Sequence, residues 1–229
     1  MFDGRFRAPV ERAVRPIGDG LKRTGLTPDH LTIAGLVLAV AAAVVIALGG
    51  LRGGLVLVIL AALPDLLDGA LAKASNSSSQ RGAFFDSVAD RVTDMLLLGG
   101  VAWYLASRDG GHAALLPYAV MGLSALISYQ RAKAESLGLQ AKGGLMERAE
   151  RVVLLCIGLL FDWLLVPVLW LMLVLTAITA VQRFVQVWRQ AVAAPVVLER
   201  QAARRSRRSA RRSARAHRRT QLRRRPPRS

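Results

Sequence analysis

The sequence predicts an all-α integral membrane protein, with six transmembrane helices preceded by an N-terminal amphipathic helix lying in the membrane interface. Three observations predict it. Apolar residues make up 53% of the chain and are gathered into runs, each close to the roughly 20 residues that cross a bilayer as a helix. The formal charge is nevertheless +17, and it is uneven: 14 of the 32 Lys and Arg residues fall within 200–229, which hold no acid. The other cations gather in alternate loops, the arrangement that fixes topology when basic loops stay in the cytoplasm.

Taken in order, residues 1–25 carry Phe2, Phe6, Val10, Val14, Ile17 and Leu21, with Arg5, Arg7, Arg12 and Arg15 between them. Apolar residues three or four apart with a basic opposite face suit a helix lying on an anionic leaflet. The polar start lacks the pattern of a signal peptide. Thr27 is a good N-cap and Pro28 fits the first helical position, so the first span starts there and runs to about residue 50. The second covers about 53–73, with Pro64 a possible kink point. The third covers 82–106 and the fourth 113–137. The fifth covers 152–161, extended backwards through a charged stretch, and after a short hairpin at Asp162-Trp163 the sixth covers 164–188. Cys156, the sole cysteine, reads as a small core residue.

Residues 26–190 thus form one membrane domain, and 191–229 form a tail of Arg, Ala and Ser that cannot bury a core and is expected to be disordered. Such a tail beside a span is drawn to anionic lipids. Arg runs also bind nucleic-acid phosphates, but the tail has no aromatic residue for base stacking. Six spans place both termini on one side. The basic N-terminal segment, the 75–81 loop, the 131–151 loop and the tail share that side, which is therefore cytoplasmic.

The chain is organised around DLLDGALAKASNSSSQRGAFFDSVADRVTD, residues 65–94. Carboxylates at membrane helix ends mark a functional site by default, because they need a cation, a partner or water. Asp65 and Asp68 stand three apart, and Asp86 and Asp90 four apart, so each pair occupies one helix face. Two such pairs facing a common space make an oxygen-rich site for a hard cation. Asp94 lies one turn beyond Asp90 and either orients a ligand or pairs with a cation.

With its spacing, the stretch reads D-x2-D-G-x2-A-K-x8-G-x3-D-x3-D and resembles the signature of the CDP-alcohol phosphatidyltransferases. Seven of eight positions match over 26 residues, with Lys73 where the family has Arg. The resemblance implies two Mg²⁺ or Mn²⁺ ions held by Asp65, Asp68, Asp86 and Asp90, with Asp90 as general base. It also implies CDP-diacylglycerol as substrate and a homodimer. Gly69 and Gly82, lacking Cβ, allow close approach of a nucleotide. Lys73 supplies a point charge to phosphate rather than a planar fork. Ser79 matches a family hydroxyl that faces the nucleotide, and Pro28, Asp29, His30 and Leu31 match the segment capping the cytidine, though His30 reads equally well as an exposed turn residue.

The later spans end in Ser128, Arg131, Lys133, Arg148, Arg151 and Arg183. So many cations on one side suit an anionic acceptor, a phosphorylated polyol, although Arg131 and Lys133 also fit simple topology-setting charges. RTGLTPDHLT, DSVADRVTD, SYQRAKAE and GGLMERAER resemble the phosphatidylinositol phosphate synthases of actinobacteria, with Ala149 in place of the usual proline. That resemblance implies transfer of the phosphatidyl group to 1D-myo-inositol 3-phosphate in a bacterial cell membrane. It also implies an acceptor-phosphate pocket of Ser128, Arg131, Arg151 and Arg183. Two other readings compete: a relative using glycerol 3-phosphate to make phosphatidylglycerol phosphate, with the same acidic motif, and a non-enzymatic anchor presenting the basic tail.

Overall fold

A computed structural model describes residues 27–75, 79–108, 111–141 and 143–192, without the side chains of Pro28 and of 65–75. All regular structure among the described residues is helical: α1 Pro28–Ala47, α2 Leu51–Ser75, α3 Gln80–Arg108, α4 Leu115–Ser136, α5 Arg148–Leu160 and α6 at 165–192. A single 3-10 turn, Asp162–Leu164, stands where a hairpin was expected between α5 and α6. The amphipathic segment 1–25 and the tail from 193 onward lie outside the described residues.

The helix starts follow from local chemistry. At α1 the Thr27 N–H donates to Nδ1 of His30 at 3.2 Å, and the Thr27 Oγ1 lies 2.9 Å from the same nitrogen. Pro28 begins the helix, where its missing N–H costs nothing. Ser79 caps α3 by accepting the Gly82 N–H at 2.9 Å. At α5, Glu147 is the N-cap and its N–H donates to Glu150 Oε2 at 3.2 Å. This cap starts α5 at Arg148, four residues ahead of its apolar run. Pro64 falls inside α2 without ending it.

α1 packs on both α2 and α3, α3 also meets α4, and α2 meets α5. The α1–α3 contact is close because of Gly100, where a Cβ would lie 2.5 Å from the Ala43 carbonyl oxygen. The core joins Ala42 and Ile46 of α1, Val58 of α2, and Leu97, Val101 and Leu105 of α3. Val120 of α4, Leu155 and Leu159 of α5, and Leu169 and Met172 of α6 complete it.

The outer surface is apolar. Ile33, Val37, Val40 and Val44 form an exposed stripe on α1 that continues to its C-cap Leu48, and Val174, Ile178, Val181 and Val185 form another on α6. A soluble monomer rarely exposes so much contiguous apolar surface. Asp29–Ala47 and Asp162–Val192 are long and apolar enough to cross a bilayer, and Leu51–Pro64 is a shorter apolar stretch.

The connection from α4 to α5 is fastened along one face of α6. Gln190 accepts the Gln140 N–H at 3.0 Å and donates to its carbonyl at 2.6 Å. Arg183 Nε donates to the Gly143 carbonyl at 3.1 Å, and Thr179 Oγ1 accepts the Met146 N–H at 2.9 Å. Gly144 has φ +149°, and a Cβ there would lie 2.4 Å from Thr179 Cγ2. Only glycine meets both demands. The loop is held as a fixed wall, and it delivers the charged first turn of α5.

Candidate active site

The charged residues meet where α3 begins. Arg148, the first residue of α5, places Nη1 2.8 Å from Asp90 Oδ1 and Nε 3.6 Å from Asp94 Oδ1. Arg151, one turn on, donates from Nη2 to Asp94 Oδ2 at 2.8 Å. Arg91 Nη1 lies 3.7 Å from Asp90 Oδ2. The result is an alternating row, Asp90–Arg148–Asp94–Arg151, built from an i,i+4 pair on α3 and an i,i+3 pair on α5. The expected partner of Asp94 is thus a cation, supplied from a different helix. The Arg151 side chain is 8% exposed and that of Asp94 16%. In so dry a setting a charge is tolerated only with a partner.

Arg183 lies nearby on α6, almost fully buried. Besides Gly143 it reaches the Ile127 carbonyl from Nη1 at 3.4 Å and Glu147 Oε1 from Nη2 at 3.2 Å. Glu147 is the N-cap of the helix that carries Arg151, and Ile127 lies one turn before Arg131 on α4, so Arg183 sits beside the helix turns that bear the other two guanidiniums. Arg131 itself is exposed and pairs with Glu135 of its own helix at 3.1 Å. Ser128 is half-buried and donates to the Ser124 carbonyl at 3.0 Å. Glu147 and Asp94 are thus the acids that keep Arg183 and Arg151 in place. The role of Glu147 was not read from the sequence, where only its Glu-x-x-Glu spacing to Glu150 hinted at a cap.

The expected nucleotide side is assembled from two helix starts. Asp29, in the first turn of α1, lies 3.6 Å from Arg81 Nη2, and its Oδ1 lies 3.7 Å from where a Gly82 Cβ would stand. The turn formed by Pro28, Asp29, His30 and Leu31 is therefore beside the start of the Asp86 and Asp90 helix. His30 directs Nδ1 to the cap of its own helix. Ser79 uses an oxygen lone pair for its cap, which leaves its hydroxyl proton to donate elsewhere.

Asp86 and Asp90 stand one turn apart on α3 and form half of the expected ligand set. Asp65 and Asp68 lie on α2, but their side chains, like that of Lys73, are outside the described residues. Among the described residues no three potential ligands are gathered. The donor chemistry, carboxylate oxygens alone, suits a hard divalent ion such as Mg²⁺ or Mn²⁺ rather than zinc or copper.

The row of acids and guanidiniums between α3 and α5 is an arrangement suited to phosphate-bearing groups. The family model for CDP-alcohol phosphatidyltransferase matches residues 25–188, and the chain belongs to that family of enzymes. It is 35% identical over 185 residues to the phosphatidylinositol phosphate synthase of Mycobacteroides abscessus, covering 77% of this chain and 84% of that one. It is also 35% identical over 198 residues to the archaetidylinositol phosphate synthase of Methanothermobacter thermautotrophicus, covering 81% and 94%. The fold matches the crystal structure of Mycobacterium tuberculosis phosphatidylinositol phosphate synthase with CDP-DAG bound, at a TM-score of 0.71 and 36% identity over 77% of this chain and 94% of that one. The same enzyme in complex with manganese and citrate matches at 0.72 and 34% identity, over 76% and 88%.

Proposed function

We propose that the protein transfers the phosphatidyl group of CDP-diacylglycerol to a hydroxyl of 1D-myo-inositol 3-phosphate, giving phosphatidylinositol phosphate and CMP. The observation that carries the acceptor class is the desolvated Arg151, held by Asp94 one helical turn from the expected base. A fixed guanidinium there suits a phosphate better than a neutral polyol. The names of the relatives from Mycobacteroides and Mycobacterium support inositol phosphate as that acceptor.

Asp65, Asp68, Asp86 and Asp90 hold two divalent ions, Mg²⁺ or Mn²⁺, and the bound ions supply neutralisation of charge on the pyrophosphate. A manganese complex of the Mycobacterium tuberculosis enzyme supports this donor chemistry. The first turn of α1 with Gly69, Lys73, Ser79 and Gly82 binds the cytidine diphosphate head group. Ser128, Arg131, Arg151 and Arg183 bind the acceptor phosphate. Asp90 accepts the proton of the acceptor hydroxyl as that oxygen bonds to the lipid-side phosphorus, and the bond from that phosphorus to the bridging oxygen breaks to release CMP.

All six helices span a bacterial cell membrane, with the site and both termini cytoplasmic, and the enzyme works as a homodimer. The exposed apolar stripes and the basic loops support that placement.

The test is CMP release by the purified protein with CDP-diacylglycerol and Mg²⁺, comparing inositol 3-phosphate, free inositol and glycerol 3-phosphate. Turnover with inositol 3-phosphate well above the other two is expected, and preference for glycerol 3-phosphate overturns the acceptor. EDTA abolishes the activity and added Mg²⁺ or Mn²⁺ restores it; activity that survives chelation rules out metal-held pyrophosphate.

A further inference from the structure

We propose that Arg148 and Asp94 are positioning residues that lock the acceptor-binding guanidinium and the base into one register. The inference rests on the reading of Asp90 as base and Arg151 as acceptor ligand. Arg148 touches both carboxylates of α3, Asp90 at 2.8 Å and Asp94 at 3.6 Å. Asp94 in turn accepts from Arg151 at 2.8 Å. Each link joins residues far apart in sequence, so nothing local imposes the geometry; it comes from docking the first turn of α5 along α3.

The arrangement has a direct chemical consequence. One Nη of Arg151 is spent on Asp94, which fixes the plane of the guanidinium, and the rest of its donor set is then aimed rather than free to rotate. Arg148 fixes one oxygen of Asp90 from outside α3 and so sets the rotamer in which that carboxylate meets the hydroxyl. Because Asp94 binds both arginines, Arg151 cannot shift toward a ligand without drawing on the contacts that hold Arg148 and Asp90. An acceptor seated on Arg151 therefore presents its hydroxyl to a base already aligned. A misplacement of about 1 Å at such a site costs on the order of a hundredfold in rate. A plain interhelical staple has a different signature: stability falls and both substrates suffer alike.

The experiment compares Arg148→Ala, Arg148→Lys, Asp94→Asn and the double variant Arg148→Ala/Asp94→Asn with the wild-type protein in detergent with Mg²⁺. It reads kcat, the KM of each substrate, thermal melting and CDP-diacylglycerol binding. Arg148→Ala is expected to lower kcat about 10- to 100-fold while the KM for CDP-diacylglycerol stays within about twofold. Arg148→Lys recovers part of the rate, since an ammonium can hold one Asp90 oxygen but cannot bridge to Asp94. Asp94→Asn keeps shape but turns a donor toward one of the two arginines, and it raises the acceptor KM about tenfold with a smaller change in kcat. The double variant loses less than the product of the single losses.

Wild-type kcat in Arg148→Ala overturns the proposal. So does a loss explained by lowered melting temperature and lost CDP-diacylglycerol binding, or strict multiplicativity in the double variant. If the wild-type protein prefers glycerol 3-phosphate, the acceptor named above is wrong, and the same kcat and KM splits decide this inference with that acceptor.

Discussion

The two ends of the bundle use the same pair of residue types for different ends. At the far end, Arg108 of α3 donates to Asp162 Oδ2 at 2.6 Å, and Tyr104 donates to Asp162 Oδ1 at 3.0 Å. Arg108 also donates to the Tyr104 hydroxyl oxygen and stacks its guanidinium 5.7 Å from that ring. At the site end, Asp94 and Asp90 take Arg151 and Arg148 from α5. Both clusters bind α3 to the chain around α5 through aspartate and arginine. The far cluster is open, with Arg108 and Asp162 about half exposed, whereas Arg151 and Asp94 are close to buried. Exposed ion pairs contribute little, ~0–1 kcal/mol. Desolvated pairs cost more to assemble than apolar packing in their place would. A protein keeps a row of them where charge must be aimed. The far cluster is a clasp, and the site cluster is an alignment device.

The sharpest way to break that comparison is to neutralise one aspartate at each end. Asp90→Asn removes the expected base and lowers kcat at least about a hundredfold, the usual scale of general-base catalysis. Melting falls only modestly, because the carboxamide keeps the shape and Arg148 retains Asp94. Single-turnover CMP release checks the loss. Near wild-type turnover would remove Asp90 from the chemistry.

Arg151→Ala comes next. It is expected to raise the KM for inositol phosphate by tenfold or more, about the worth of one charge-assisted contact, and to leave the KM for CDP-diacylglycerol nearly unchanged. It also destabilises the fold by up to ~3 kcal/mol, because Asp94 is left buried with only the longer contact to Arg148. Equal losses for both substrates would place Arg151 outside the acceptor pocket. Arg151→Lys separates the two effects, since it keeps the charge and loses the fork.

Between these extremes lies the loop wall. Gly144→Ala forces a side chain into a positive-φ conformation and against Thr179. The expected result is a loss of stability of about 1–3 kcal/mol, the cost of a strained backbone position. A several-fold rise in acceptor KM accompanies it, because the first turn of α5 moves with the loop. Gly99→Ala is the control: on the same scale of change it meets open space and gains the helix propensity of alanine. Thermal melting of the two variants side by side checks both.

These residues also show how far the sequence could be read. The helices were legible because their starts carry local chemistry, at Thr27-Pro28 and in the apolar runs. The backward extension of α5 through the charged stretch was legible, but its first residue was not, since hydropathy marks only the apolar part and the Glu147–Glu150 cap sets the start at Arg148. Asp94 could be read as cation-paired from its place on the helix face. Arg148 gained no separate role, because its carboxylates lie on another helix and no spacing rule connects them. Arg183 read as one more cation for the acceptor, as any arginine in an apolar helix does. The structure surrounds it with the Gly143 and Ile127 carbonyls and Glu147. Backbone carbonyls leave no mark in the sequence, so the fastening of the loop by Thr179, Arg183 and Gln190 was invisible there.

The smallest effect belongs to the clasp. Asp162→Asn keeps the hydrogen-bonding shape toward Tyr104 but removes the charge that faces Arg108. Both groups are well exposed, so screening by salt and water leaves little to lose. A drop in melting temperature of no more than about 2–4 °C is expected for a chain of this size, with kcat and both KM values unchanged. The drop should shrink further at high salt, where the wild-type pair is itself weakened. A variant that melts normally but turns over more slowly would mean that the clasp transmits to the site through α3, and the division between fastening and aligning would fail. Repeating the measurement in Asp162→Asn/Asp94→Asn sharpens the point: the two changes lie at opposite ends of the bundle, so their effects on stability should add.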